Sequence, residues 1–268
     1  MNSLKTVFSE QFNNVYMIGR LSAYELKKLY ANSFLGGIWI FLNPIIQIAV
    51  YGVTFGLGIR GGASVDGIPY FTWMVCGLIP WFFISASIMQ GSNAIYARIN
   101  TVARMNFPLS ITPTYVIVAQ LYTHLVLMIL VLAIVSLSVG ISNIHLFELV
   151  YFMFSSFCFL IALSFITSTL STMMRDIHLL IQQITRLLLY LTPVLWEPSA
   201  NAPEFLLDLM KLNPFYYVVE GYRHALIYDD TSIFLSPLTL YFWGLVLVML
   251  VLGTTLHVKF RRNFVDYL

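Results

Sequence analysis

Six apolar runs, each about the length of a membrane-crossing helix, decide what this chain can fold into. They cover residues 35–57, 70–95, 114–139, 147–174, 177–196 and 235–258. A bilayer core takes roughly 20 apolar residues per helix, and a backbone exposed to lipid must satisfy its hydrogen bonds within its own segment. The spacing therefore predicts an all-α integral membrane protein with six transmembrane helices. With 59% hydrophobic residues, 10% charged residues and a mean hydropathy of +0.82, the 268 residues leave no room for a soluble domain. The fifth run is the most polar, because Gln182, Gln183 and Arg186 lie inside it.

Six spans put both termini on one side. That side collects Lys5, Arg20, Lys27, Lys28, Arg98, Arg104, Arg175, Lys259, Arg261 and Arg262; the other has Arg60, Lys211 and Arg223. Basic residues accumulate on the cytoplasmic side, so both termini are expected in the cytoplasm. The first 30 residues show no signal-peptide pattern. Cys76 and Cys158 both fall inside spans, where no disulfide is expected. A net charge of +2 with basic pairs beside the spans reads as topology, not nucleic-acid binding.

Residues 1–33 read as an amphipathic interface helix, with Leu4, Phe8, Phe12 and Val15 at helical spacing. Residues 34–268 form a single transmembrane domain. Asn43-Pro44, Gly77 and Pro80 mark kinks. Residues 97–105 suit a short surface helix with Arg98 and Arg104 exposed and Ile99 and Val102 packed inward. Between helices 5 and 6, residues 197–230 hold two short helical patterns hinged at Asn213-Pro214, too polar to span and too apolar for a free loop. They predict a re-entrant segment, which must be buried in protein or face a cavity. It is either an outer gate built from Trp196, Asn213, Pro214, Phe215, Tyr217 and Tyr222, or an external cap.

Several chemistries lack their residues. The glycines of 56–62 come without the lysine and serine or threonine of a phosphate-binding loop, so this chain has no ATP site of that kind. The five histidines are scattered without ligand spacing. No catalytic triad or paired carboxylates are legible, so no catalytic residue is assigned. Acidic residues are absent from mid-span, which argues against ion-coupled transport.

Arg186 lies ten residues past Asp176, about 15 Å into the bilayer at the helical rise. Gln183, Arg186 and Tyr190 share one stripe. Burying an unpaired arginine at that depth costs at least about 2.5 kcal/mol. Arg186 therefore either locks packing through carbonyls of a neighbouring helix or lines a wet path for an anionic or hydroxyl-rich cargo.

The chain resembles the membrane subunit of type-2 ABC exporters, in the branch that moves polysaccharides and teichoic acids. The resemblance rests, in order, on Tyr24-Glu25-Leu26-Lys27, Leu35-Gly36-Gly37-Ile38-Trp39, Leu42-Asn43-Pro44, Met105-Asn106-Phe107-Pro108, Arg175-Asp176-Ile177, Thr192-Pro193-Val194, Leu212-Asn213-Pro214 and Gly221-Tyr222-Arg223. Residues 51–60, 68–81 and 95–114 are most similar to the permeases that translocate wall teichoic acid in Gram-positive bacteria; O-antigen and capsule exporters share the scaffold. The resemblance implies a homodimer with two copies of a separate ATPase that binds ATP and Mg. It implies coupling to that ATPase through Arg98, Val102, Arg104, Arg175 and Asp176. It further implies a conduit between protomers lined by the first and fifth spans, and an anionic glycan on undecaprenyl diphosphate as cargo. Arg20, Lys27 and Lys28 are then candidate diphosphate contacts, or simply topology anchors. Two rivals are an ABC exporter of small hydrophobic compounds and an intramembrane enzyme of lipid-linked glycan assembly.

Overall fold

The computed structural model describes residues 2–31, 33–59, 61–98, 108–141, 144–198, 203–228, 230, 232–261 and 264. Its elements are helical. The one strand-type pairing among the described residues is the Val65–Ile68 bridge, closed by a turn with Asp66 and Gly67 at positive φ. The helices are α1 (Asn2–Asn13), α2 (Val15–Tyr30), α3 (Trp39–Tyr51), α4 (Tyr70–Ser92), α5 (Ile111–Ser138), α6 (Leu146–Met173), α7 (Arg175–Leu191), α8 (Glu204–Lys211), α9 (Pro214–Leu226) and α10 (Pro237–Phe260). A 3-10 turn, Gly36–Ile38, precedes α3, and wider π-type turns carry it on through Gly52–Ile59.

Among the described residues, five helices are long and apolar enough to cross a membrane: Gly36–Ile59, Tyr70–Ser92, Ile111–Ser138, Leu146–Met173 and Pro237–Phe260. The expected fifth span, 177–196, is instead α7, a 17-residue amphipathic helix. It stops early because Pro193 forces Thr192 into extended backbone (φ −90°, ψ 135°). Even so, α7 and the turn that follows it together track α4 from one end to the other. At one end His178 Nδ1 lies 2.9 Å from Ser92 Oγ; at the other, the Tyr70 hydroxyl donates to Leu195 O at 2.6 Å.

The core gathers on α4, α6 and α9, whose apolar faces pack together with α10 and α5. Close approach fixes the α9–α6 contact: a Cβ on Gly221 would sit 2.2 Å from the Phe152 ring. By contrast α3 is barely covered, with Ile48 its one buried residue.

The N-terminal segment is two helices where one was expected. Asn14 leaves helical geometry (φ −119°, ψ 20°) and its side chain donates to Glu10 O at 2.8 Å, competing with the backbone ladder. The break lets α1 lie against α10 while α2 packs on α5. Glu10 accepts from Ser110 Oγ (2.5 Å) and from Arg261 Nη1 (2.8 Å), tying the amino-terminal helix to the end of α10. Both ends of the described chain therefore lie on one side of the bundle.

Candidate functional site

The polar stripe of α7 forms as the spacing predicts. Gln183, Arg186 and Tyr190 are all exposed, while Thr185 and Leu189 face the bundle and are buried. Leu179, Leu180, Ile184, Leu187 and Leu191 extend the same uncovered surface. Arg186 has not been folded into the packing of its own chain.

Another arginine has. Arg223, on α9, is fully buried. Its Nη1 donates to Pro193 O and its Nη2 to Val194 O, both at 2.7 Å, and Nη1 also donates to Glu220 Oε1 at 2.5 Å. Its guanidinium carbon lies 3.5 Å from the Trp73 ring centroid. The proline that ends α7 leaves those carbonyls without helical partners, and a planar fork of donors matches them. Gly77 on α4 leaves the space: a Cβ there would lie 2.5 Å from Nη2 and 3.2 Å from Val194 O. The sequence counts Arg223 only among the basic residues of the outer side. The missed signal is its register, since Val219, Arg223 and Leu226 stand at helical spacing on one apolar face.

The residues expected to form an outer gate divide. Asn213 caps α9, accepting from Phe215 N at 3.0 Å, with Pro214 at the first helical position, and its amide donates to Thr192 Oγ1 at 2.9 Å. Phe215, Tyr217 and Tyr222 are core side chains, not conduit lining. Phe215 packs on Trp81 and Phe159, the Tyr217 hydroxyl meets those of Tyr151 and Thr239, and the Tyr222 hydroxyl lies 2.9 Å from His124 Nε2. The correction has a simple cause: α9 inserts against α4 and α6, so its aromatic face is consumed within one chain. Trp196 stays partly exposed and donates to Tyr190 O at 2.9 Å, folding back on the end of α7.

On the side of the termini, Arg98 is not the exposed cation expected of a surface helix. One guanidinium edge grips Glu25, with Nε 3.3 Å from Oε2 and Nη2 on Oε1; Nη1 donates to Ala94 O at 3.1 Å. A carboxylate from α2 within reach converts it into a clamp, about 11% exposed. Beside it, Arg175 stacks over Tyr96 at 4.6 Å and, with Asn93, Asp176 and His178, lines a cavity of ≈ 570 Å³ between the end of α4 and the α6–α7 turn. Val102 and Arg104 lie outside the described residues, as does most of the expected 97–105 helix. Arg20, Lys27 and Lys28 are exposed on α2, the lysines in its last turn, where cations suit the helix dipole.

A helical bundle of membrane-length apolar segments is a multi-pass membrane protein. The chain belongs to the ABC-2 type transporter family, whose model matches residues 17–227. It is 31% identical over 209 residues to the O-antigen export system permease protein RfbA of Myxococcus xanthus, covering 76% of this chain and 77% of that one. Two proteins of the same description from Klebsiella pneumoniae are 25% and 24% identical, each covering 91% of this chain and 92% of its own length. The protein is accordingly a transport permease and not an enzyme, and its ATPase is a separate subunit.

Proposed function

We propose that this chain is the membrane subunit of an ATP-driven exporter that carries a lipid-linked polysaccharide of the O-antigen class across the bacterial plasma membrane. Two copies work with two ATPase subunits, which bind ATP and Mg. The observation that carries the reading is the uncovered stripe of Gln183, Arg186 and Tyr190 on α7, a helix packed along α4. A mid-depth arginine without shelter in its own chain needs a wet or protein-lined face, and two such faces meeting across a dimer supply one. The bare first span, α3, stands as its partner wall. Six crossings, α7 included, account for the contact between Glu10 and Arg261 at one side, since an odd number would part the two ends. The cavity at Arg175 and Asp176 is the surface offered to the ATPase, and both termini face the cytoplasm. The segment from α8 to α9 is re-entrant, closed at its base by Arg223.

Purification of the chain with its ATPase tests this, followed by ATP-dependent transfer of a lipid-linked polysaccharide in proteoliposomes. Export of small hydrophobic compounds with no effect on the polysaccharide would sink the reading. A second reading, wall teichoic acid as cargo, is favoured by the likeness of residues 51–60, 68–81 and 95–114 to the permeases of that polymer. It predicts that a phosphate-rich chain is the better substrate. The names of the relatives favour the first.

A further inference from the structure

A second polar feature sits at mid-depth, away from the α7 stripe. Between α3, α4 and α5 lies a cleft of ≈ 290 Å³ whose lining includes Asn43, Gln47, Ser85, Gln120, Thr123 and His124. Gln47 is eleven residues past Gly36, and His124 thirteen past Ile111, roughly 16 and 20 Å along their helices at 1.5 Å per residue. Both are therefore far from either membrane surface. Helix faces at that depth ordinarily carry apolar side chains, so this group of polar ones needs an explanation.

His124 sharpens the question. It is 1% exposed, its ring is stacked on Phe83 at 4.8 Å, and its Nε2 is taken by Tyr222. Its Nδ1 is buried with no hydrogen-bond partner. Either tautomer leaves that nitrogen needing one partner, and a buried polar atom left unmatched costs about 1–3 kcal/mol. The cleft is about ten times the ~30 Å³ share of one water and close to the ~300 Å³ lower end of small-ligand pockets.

The lining has amides, hydroxyls and an imidazole, and no Lys, Arg, Asp or Glu. Such a set matches a neutral ligand rich in hydroxyl groups and offers no countercharge to a phosphate, whose burial here would be costly. Because α3 is barely covered by its own chain, the cleft is left open along that helix, on the side assigned above to the conduit. We propose that it binds an uncharged, hydroxyl-rich sugar at mid-depth and rejects the phosphate groups of the same cargo. The proposal rests on the lipid-linked polysaccharide reading and narrows it to the neutral sugars.

The test uses the full chain in phospholipid nanodiscs with two photoreactive probes of equal alkyl length, a decyl β-glucoside and a decyl phosphate, each with a diazirine in the chain. Labelled peptides are read by mass spectrometry. The glucoside is expected to label the peptides holding Gln47 and Thr123 at least about fivefold more than the phosphate does, and free octyl glucoside should compete. Gln47→Leu with Thr123→Val removes two neutral hydrogen-bonding groups and should cut that labelling at least about fivefold. Gln47 is exposed and Thr123 only half-buried, so the fold tolerates both changes. Equal labelling by the two probes, or labelling indifferent to the variant, overturns the proposal. Glucoside binding in a complex that fails to export any lipid-linked polysaccharide would keep the cleft and defeat the functional reading instead.

Discussion

Arg186 and Arg223 sit on α7 and α9, and the protein treats them in opposite ways. Arg223 is wrapped by two carbonyls, a carboxylate and an indole, within reach of a glycine that makes room for it. Arg186, on a helix packed along α4, is left on the outside of its own chain. A buried guanidinium gripped at both terminal nitrogens fixes structure, whereas the exposed Arg186 fixes nothing in the core of its own chain. The contrast extends to the helices. The aromatic face of α9 is spent on the core of one subunit, whereas the polar stripe and flanking leucines of α7 are left uncovered.

The comparison breaks most readily at Arg223. Arg223→Leu strands Glu220 and the carbonyls of Pro193 and Val194, and is expected to cost about 3–5 kcal/mol, read as a lower melting temperature of the purified chain. Arg223→Lys recovers only part, because a point charge cannot hold two carbonyls as a fork does. Gly77→Ala pushes a methyl into the guanidinium and should cost about 1–3 kcal/mol by overpacking. If Gly77→Ala melts like the parent chain, the close fit around Arg223 is not what holds α9 to α4. At the other end, Glu25→Gln weakens the clamp on Arg98 and should lower stability by about 1–2 kcal/mol, a loss that high salt leaves largely in place because the pair is mostly sheltered. The smallest change in stability belongs to Arg186→Leu, within about 0.5 kcal/mol of the parent, as befits an exposed side chain with no role in the core.

What was legible in the sequence follows from which interactions are local. The long apolar runs mark α4, α5, α6 and α10 within a few residues, and the three-residue step from Gln183 to Arg186 places the stripe of α7 before any coordinates. The Asn213-Pro214 pair marks the start of α9 because capping is decided within one turn. Partners distant in the chain were out of reach. Glu25 meets Arg98 across 73 residues, and His124 meets Tyr222 across 98. The first turned an expected surface cation into a clamp; the second turned an expected gate aromatic into core. Arg223 was misread for a related reason. The sequence counts it as a charge of the outer side, and only the turn left open by Pro193 explains why it is buried.

The central claim is that Arg186 serves transport and Arg223 serves structure. ATP-driven transfer of a lipid-linked polysaccharide by proteoliposomes holding the chain and its ATPase tests it most directly, at matched amounts of folded complex. Arg186→Leu is expected to keep its melting temperature and its bound ATPase while transfer falls at least about tenfold, some 1.4 kcal/mol on the barrier. Transfer at the parent rate by that variant would contradict the account.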